Sequence, residues 1–373
     1  MITVLADRHI GNLIEFLHPR INCITFNPEM GPEDEQLQTA DALLIRTVTK
    51  IDQNLLSKSP KLTFVGTATA GADHVNQELL AAHGINFTPA PGCNARAVAE
   101  YTATAILLWS QSNGRPLSGL TAGIVGVGNT GSQVQYLLEK IGLKTWGYDP
   151  PREKRDPSFQ SCTIGNILEA DIITLHIPLL AEGEEATKNW LDEEKISGSK
   201  AKLFINAARG GIADEKALLK AQKERNTDFV LDVWKNEPIF DDISANAAFI
   251  KTPHIAGYSR QAKRRAMLMV CQALHKHFEL PLSDPPQPFA GDEAILTDKN
   301  DDFSALVNEL HPMRHYDNEF RLLMGLSAEE KKIQFGRLRT LIPLRNEFSN
   351  IFLHERILEK FPILRALGIK PNP

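Results

Sequence analysis

Three residues of the types that hydride chemistry requires stand in the middle of the chain. Arg209 ends the run Ile205-Asn206-Ala207-Ala208-Arg209-Gly210, Glu237 lies in Asp232-Val233-Trp234-Lys235-Asn236-Glu237-Pro238, and His254 lies in Thr252-Pro253-His254-Ile255-Ala256-Gly257. Oxidising a 2-hydroxy acid needs a base for the hydroxyl proton, because hydride leaves from the same carbon. Histidine suits that task, since it titrates near working pH. A carboxylate beside the ring would hold one tautomer and stabilise the imidazolium. Arginine can grip a substrate carboxylate through two N–H bonds and polarise the forming carbonyl. Taken singly, each is more often structural: a histidine after proline is commonly a turn or core residue, and an arginine commonly a solvated side chain. At the ends of successive strands of one nucleotide-binding sheet, they are expected to form a site at its carboxyl edge.

The nucleotide signal is Gly126-Val127-Gly128-Asn129-Thr130-Gly131, which follows a β-run and opens an amphipathic helix. Gly126 permits a tight turn, Gly128 lets backbone approach a pyrophosphate, and Gly131 lets helix and strand pack closely. The helix start, including Asn129 and Thr130, would offer free amides and a partial positive charge to the phosphates. Such a glycine pattern also occurs as a plain turn. Here Asp149 adds to it, about twenty residues on, at the end of a strand. Its carboxylate can accept both ribose hydroxyls and would repel a 2′-phosphate, which favours NAD over NADP. Arg152 nearby argues the other way.

The elements that must position these residues read as two βα series. Strands are expected at residues 2–5, 42–45, 63–66 and 85–87, with a helix before Gly84. A long helix should span 94–113, ended by Asn113-Gly114-Arg115-Pro116. The second series has strands at 121–125, 144–148, 172–176, 202–206, 229–232 and 250–252, with a helix at 130–141. A further long helix is expected over 261–278. This alternation implies α/β architecture: two Rossmann-like doubly wound domains with mostly parallel sheets. The proline-rich run 281–288 marks a boundary. Residues 1–94 and 262–285 are expected to form a substrate domain, 95–261 the NAD-binding domain, and 286–373 a small C-terminal domain.

Bulk properties exclude several classes. The chain has 373 residues and a net charge of -5, so the global field attracts neither nucleic acid nor an anionic membrane surface. An anionic substrate must therefore be held by local arginine or lysine. Four scattered cysteines read as reduced thiols of a cytoplasmic protein. No signal peptide and no membrane span is expected. His311 and His315 lie four apart but read as surface helix residues, and no metal site is expected.

In combination the motifs resemble the D-isomer-specific 2-hydroxyacid dehydrogenases over about the first 280 residues. The resemblance implies that Arg209 binds substrate, that Glu237 pairs with histidine, and that His254 is the acid/base. It further implies that Asp232 meets the nicotinamide carboxamide and that Ile177, Pro178, Ala207, Ala208 and Gly257 line the cofactor. Within the family, the likeness is strongest to a branch that oxidises a phosphorylated four-carbon hydroxy acid in pyridoxal phosphate synthesis. It rests on Ile45-Arg46-Thr47-Val48-Thr49-Lys50, Gly66-Thr67-Ala68-Thr69-Ala70-Gly71-Ala72-Asp73-His74, Ala90-Pro91-Gly92-Cys93-Asn94-Ala95 and Tyr258-Ser259. By this likeness Thr47, Thr69 and Tyr258 touch the substrate, and Arg46 could supply charge. Thr47 and Arg96 depart from the branch, which commonly has serine and an apolar residue there.

Tyr316-Asp317, Phe320-Arg321, Ala328-Glu329-Glu330 and Leu344-Arg345-x-Glu347-Phe348 resemble the branch's C-terminal α/β dimerisation domain. A homodimer is implied. From chemistry alone the tail is an amphipathic helical appendage, for which a lid or a stabilising extension of one subunit is the lesser alternative to dimerisation. Two other functions stay open: a sister enzyme such as a phosphoglycerate dehydrogenase, and a non-catalytic NAD-sensing protein of the same fold. The Thr67-Ala68-Thr69 segment and the lack of an evident regulatory βαββαβ module speak against the first, and the second has no need for all three of Arg209, Glu237 and His254. A cleft between the substrate and nucleotide domains, closing on hinges near Asn94 and 258–265, is also expected.

Overall fold

A computed structural model of the chain describes residues 1–281, 293–296 and 302–372. All but the first residue of the proline-rich run, and the expected boundary at 285 and 286, lie outside the described residues. The chain forms two compact units. One contains Met1–Asn94 and the stretch beginning at Arg260. The other contains Ala95–Ser259 and the tail from Glu293.

In the first unit, β1 (Ile2–Asp7), β2 (Ile21–Phe26), β3 (Ala42–Ile45), β4 (Phe64–Thr67) and β5 (Asn86–Thr88) form one parallel sheet. Their order is β2-β1-β3-β4-β5. Both faces are covered, so the inner strands read as unbroken apolar runs. Leu5, Leu43 and Val65 face one core, while Val4, Leu44 and Phe64 face another. The second is covered by Met267, Val270 and Leu274 of the helix Arg260–His277. Strand β2 was not expected. As an edge strand it buries only Phe26 fully, and Asn22, Cys23 and Thr25 dilute its apolar signal.

The second unit is built on β6 (Thr121–Val125), β7 (Lys144–Tyr148), β8 (Ile172–Leu175), β9 (Leu203–Asn206), β10 (Asp228–Leu231) and β11 (Ile250–Lys251). They run in the order β11-β10-β9-β8-β6-β7, all parallel. The chain leaves β6 toward β7 on one side and resumes at β8 on the other. That reversal opens a crevice at the carboxyl end of β6, where Gly126 follows. The helices Ala95–Ser112 and Asn129–Lys140 bury Ile106, Leu107, Val134, Leu137 and Leu138 in a common core.

The tail joins this unit as more than helices. β12 (Ala294–Ile295), β13 (Ile351–Leu353) and β14 (Lys370–Pro371) pair in parallel. Strands of two or three residues carry no readable alternation, which is why residue periodicity shows only helices there. Phe320 of the tail stacks on Trp234 at 4.9 Å between ring centroids and lies 4.5 Å from Phe240. Leu306, Phe348 and Leu364 complete the core around the helix Ala95–Ser112.

A buried charge cluster ties tail and helix together. Glu100 is fully buried, accepting from Arg96 Nε at 2.8 Å, from Arg345 Nη1 at 2.6 Å and from the Phe348 amide at 2.9 Å. Arg345 also donates to Ala97 O at 2.9 Å. This gives Arg96 its reason for standing where an apolar residue is common. Breaking a buried pair strands its partner charge away from water. Arg345→Met is therefore expected to cost about 3–5 kcal/mol of stability in urea unfolding, with part recovered in Glu100→Leu/Arg345→Met. A loss under roughly 1 kcal/mol, typical of exposed pairs, would contradict the cluster's role.

Candidate active site

His254 and Glu237 meet directly: His254 Nδ1 lies 2.6 Å from Glu237 Oε1, and each side chain is about 30% exposed. Glu237 also accepts from the Trp234 amide at 3.3 Å. A carboxylate at Nδ1 places the neutral ring's proton there and leaves the Nε2 lone pair as a base. Burial alone would raise the Glu237 carboxyl. The hydrogen bond from His254 and its charge outweigh that, with Arg339 adding, so the carboxyl sits below its usual range.

The histidine occupies an uncommon backbone conformation, with φ of 58°. Asp232 holds it there. The Asp232 carbonyl accepts from the His254 amide at 2.7 Å, and its carboxylate accepts from the amides of Ile255 and Ala256 at 2.7 and 2.8 Å. Thr252 Oγ1 donates to the same carboxylate at 2.6 Å and lies 2.7 Å from the Tyr101 hydroxyl. Burial pushes the Asp232 carboxyl upward, against the charge of His254 and these hydrogen bonds. Tyr101 and Thr252 carry no sequence signal for this task, because one sits inside a helix and the other beside a proline.

Arg209 follows β9 and is half-buried, donating from Nη1 to Ala208 O at 2.8 Å. Asn206 shapes its turn, accepting from the Ala208 amide at 3.1 Å and donating to Arg209 O at 3.0 Å. A Cβ on Gly210 would stand 1.8 Å from Trp234 O, so the arginine turn packs directly on the loop that carries Glu237.

At the carboxyl end of β6, Gly131 is enforced in the same way: its Cβ would lie 1.8 Å from Gly126 O. Gly128 caps the helix Asn129–Lys140 without a side-chain bond, and a Cβ there would meet nothing within 4 Å. Exposed Gly128 and Asn129 and half-buried Thr130 thus leave open space beside unfilled amides, a cradle that fits a pyrophosphate. Asp149 accepts from the Val127 amide at 2.8 Å and the Arg152 amide at 2.9 Å, locking loop to strand end. Arg152 is engaged elsewhere. It donates to Val127 O at 2.6 Å, pairs with Asp156 at 3.1 Å and lies over Phe159. It is therefore not positioned as a free 2′-phosphate clamp.

Ile177, Ala207, Ala208 and Gly257 are half-buried at the ends of their strands and turns, and Pro178 is exposed. His176, ahead of Ile177, bonds Thr174 Oγ1 at 2.9 Å, and burial brings its ring down to about 3, so it stays neutral. In the first unit, half-buried Arg46 and exposed Thr47 follow β3. Thr69 follows β4 and shares a 2.8 Å hydroxyl contact with Thr67, which lies 3.1 Å from His74 Nε2. Tyr258 is half-buried in the turn after His254, its amide on Ile255 O at 2.8 Å.

His311 corrects an expectation. It is buried against the rings of Tyr101, Tyr316 and Phe348, not set on a helix surface, because it ends the helix Phe303–Leu310 where the tail closes on the core. His315 is exposed. Among the described residues, no group of three or more His, Cys, Asp or Glu is placed to hold a metal ion, and no helix is long and apolar enough to cross a membrane.

A glycine cradle at a switch point, with a histidine–carboxylate pair and an arginine beside the same sheet edge, defines a nicotinamide-dependent dehydrogenase. The family model for the D-isomer specific 2-hydroxyacid dehydrogenase, NAD binding domain, matches residues 95–256. A protein from Marinobacter nauticus named erythronate-4-phosphate dehydrogenase is 34% identical over 98% of this chain and 97% of its own. One of the same name from Salmonella arizonae is 37% identical over the same shares. The NAD+-bound 3-phosphoglycerate dehydrogenase of Entamoeba histolytica shares the fold, with a TM-score of 0.61 at 23% identity over 74% of this chain and 95% of that one. The chain belongs to the D-isomer-specific 2-hydroxyacid dehydrogenase family, in the branch of the erythronate-4-phosphate dehydrogenases. Its cofactor is NAD.

Because the Glu237 carboxyl titrates below the ordinary range, it stays ionised across the working range of pH. His254→Ala is expected to lose about 10²–10⁴-fold in turnover while still binding NAD. Glu237→Gln should slow the reaction, though less than His254→Ala does. Unchanged turnover in His254→Ala would contradict a base at that position.

Proposed function

We propose that the protein oxidises 4-phospho-D-erythronate to (R)-3-hydroxy-2-oxo-4-phosphooxybutanoate, a step in pyridoxal 5′-phosphate synthesis. The observation that carries dehydrogenation is the 2.6 Å His254–Glu237 hydrogen bond, on residues that follow strands of the same parallel sheet as the glycine cradle. The substrate reading is supported by relatives of that name whose likeness runs through the tail as well as the nucleotide domain.

In this reading Arg209 holds the substrate carboxylate through paired N–H bonds and draws charge toward the forming carbonyl. His254 Nε2 takes the proton of the C2 hydroxyl, and Glu237 stabilises the imidazolium that results. NAD+, when bound, supplies the acceptor for the hydride that leaves C2. Asp232 keeps the turn at Ile255 and Ala256 rigid, so the base needs little reorganisation as the proton moves. Asp149, with one carboxylate oxygen on each of two amides, keeps acceptor capacity for a ribose hydroxyl. Thr47, Thr69, Arg46 and Tyr258 are the proposed substrate contacts. Steady-state NAD+ reduction should favour 4-phospho-D-erythronate over 3-phospho-D-glycerate by about 10²-fold or more in kcat/KM. The reverse preference would overturn the substrate.

We infer further that the protein works as a cytoplasmic homodimer assembled through the tail. The four cysteines are free thiols, as suits a reducing compartment. Leu322, Ile333 and Leu341 of the tail are 69%, 67% and 65% exposed, large apolar side chains that a partner copy would cover. Sedimentation velocity should show a dimer that Ile333→Glu/Leu341→Glu converts to monomer. A wild-type monomer at micromolar concentration would contradict this.

A further inference from the structure

Arg339 stands in the last turn of the tail helix Ala328–Leu341 and is half-buried. Its Nε is sealed from water, and among the described residues the side chain has neither hydrogen-bond nor ion-pair partner. Its guanidinium carbon lies 5.6 Å from the centroid of the Tyr258 ring, and its charge reaches Glu237. The helix beneath it is pinned. Phe335 and Leu338 are buried in the core that holds Trp234 and Phe240, and Lys331 Nζ bonds Asp242 at 2.6 Å and Phe240 O at 3.2 Å.

The sealed Nε is a donor without an acceptor, which costs about 1–3 kcal/mol, while the two terminal nitrogens stay open to a ligand. Other arginines of this unit are matched: Arg96 and Arg345 to Glu100, Arg152 to Asp156. The nearby carboxylate, Glu237, already accepts from His254. The cation–π contact with Tyr258 stabilises the charge only modestly and leaves its donors unused. The open face of the guanidinium thus offers paired N–H donors to an anion at Tyr258, within reach of the charge on Glu237.

We propose that Arg339, carried by the tail of the same chain, is a substrate-binding residue of the active site whose guanidinium takes the phosphate of the substrate beside Tyr258. The identity of the phosphorylated acid rests on the reading above. A substrate with a carboxylate at one end and a phosphate at the other requires two cationic grips, and Arg209 takes only the first. The planar fork of N–H donors suits phosphate oxygens, so lysine is an imperfect replacement.

The test compares wild type, Arg339→Met and Arg339→Lys with saturating NAD+ on 4-phospho-D-erythronate and on D-erythronate. Inorganic phosphate binding to the NAD+-loaded proteins is measured by calorimetry alongside. In Arg339→Met the preference for the phosphorylated acid should fall about 30- to 100-fold, chiefly through KM, and phosphate binding should be lost. Arg339→Lys should lie between, which also serves if the methionine variant folds poorly. An unchanged preference, with both acids losing equally, would mean that Arg339 only braces Tyr258, and would overturn the inference. If wild type does not turn over 4-phospho-D-erythronate, the substrate reading fails by itself. Phosphate binding then decides the role of Arg339: loss in Arg339→Met supports it, and equal binding in wild type and variant overturns it.

Discussion

The carboxylate of Asp232 carries the geometry on which the chemistry depends. It is buried at the end of β10 and accepts three hydrogen bonds, two of them from the amides that follow His254. Those amides cannot bond elsewhere without unwinding the turn, so His254 stays in a backbone region that non-glycine residues seldom adopt. The imidazole then meets Glu237 with no further adjustment. Thr252 and Tyr101 satisfy the remaining polar atoms, which matters because an unpaired group in such a place costs about 1–3 kcal/mol. One buried acid thus links the folding of the sheet edge to the placing of the His254 ring.

The tail is built into the same arrangement. Glu347, buried in the tail, accepts from Ser259 at 2.9 Å, immediately after Tyr258 in the catalytic turn. Glu100, Arg345 and Arg96 anchor the neighbouring segment, while the Trp234–Phe320–Phe240 stack anchors the helix pair before it. Both ends of the active turn, Asp232 to Glu237 and His254 to Ser259, therefore rest on residues more than sixty positions later in the chain. Buried charge is a poor source of net stability. Here it joins tail to helix, since Arg345 and the Phe348 amide both meet Glu100.

Much of this was legible from residues alone. Parallel strands covered on both faces give long apolar runs, so β6 and β7 were readable to the residue, and the glycine loop carried its own chemistry. Three kinds of feature were not. The edge strand β2 and the short strands of the tail bury too little to show a period. Tyr101 and Thr252 act through partners far along the chain, and nothing in their neighbours marks them. Arg339 sits among other basic residues of a charged helix, where only three-dimensional placement distinguishes a matched guanidinium from one without a partner. His311 failed for a related reason: spacing of four suggests a helix face, but not which face the tail buries.

The central claim is that Asp232 and Glu237 fix His254 with its proton on Nδ1 and a free base at Nε2. Proton–nitrogen NMR of protein labelled with 15N-histidine, at a pH where the ring is neutral, reads this directly. The expected result is a protonated Nδ1 with a strongly deshielded, slowly exchanging proton that vanishes in Glu237→Gln. A neutral ring protonated at Nε2 in the wild-type protein would contradict it.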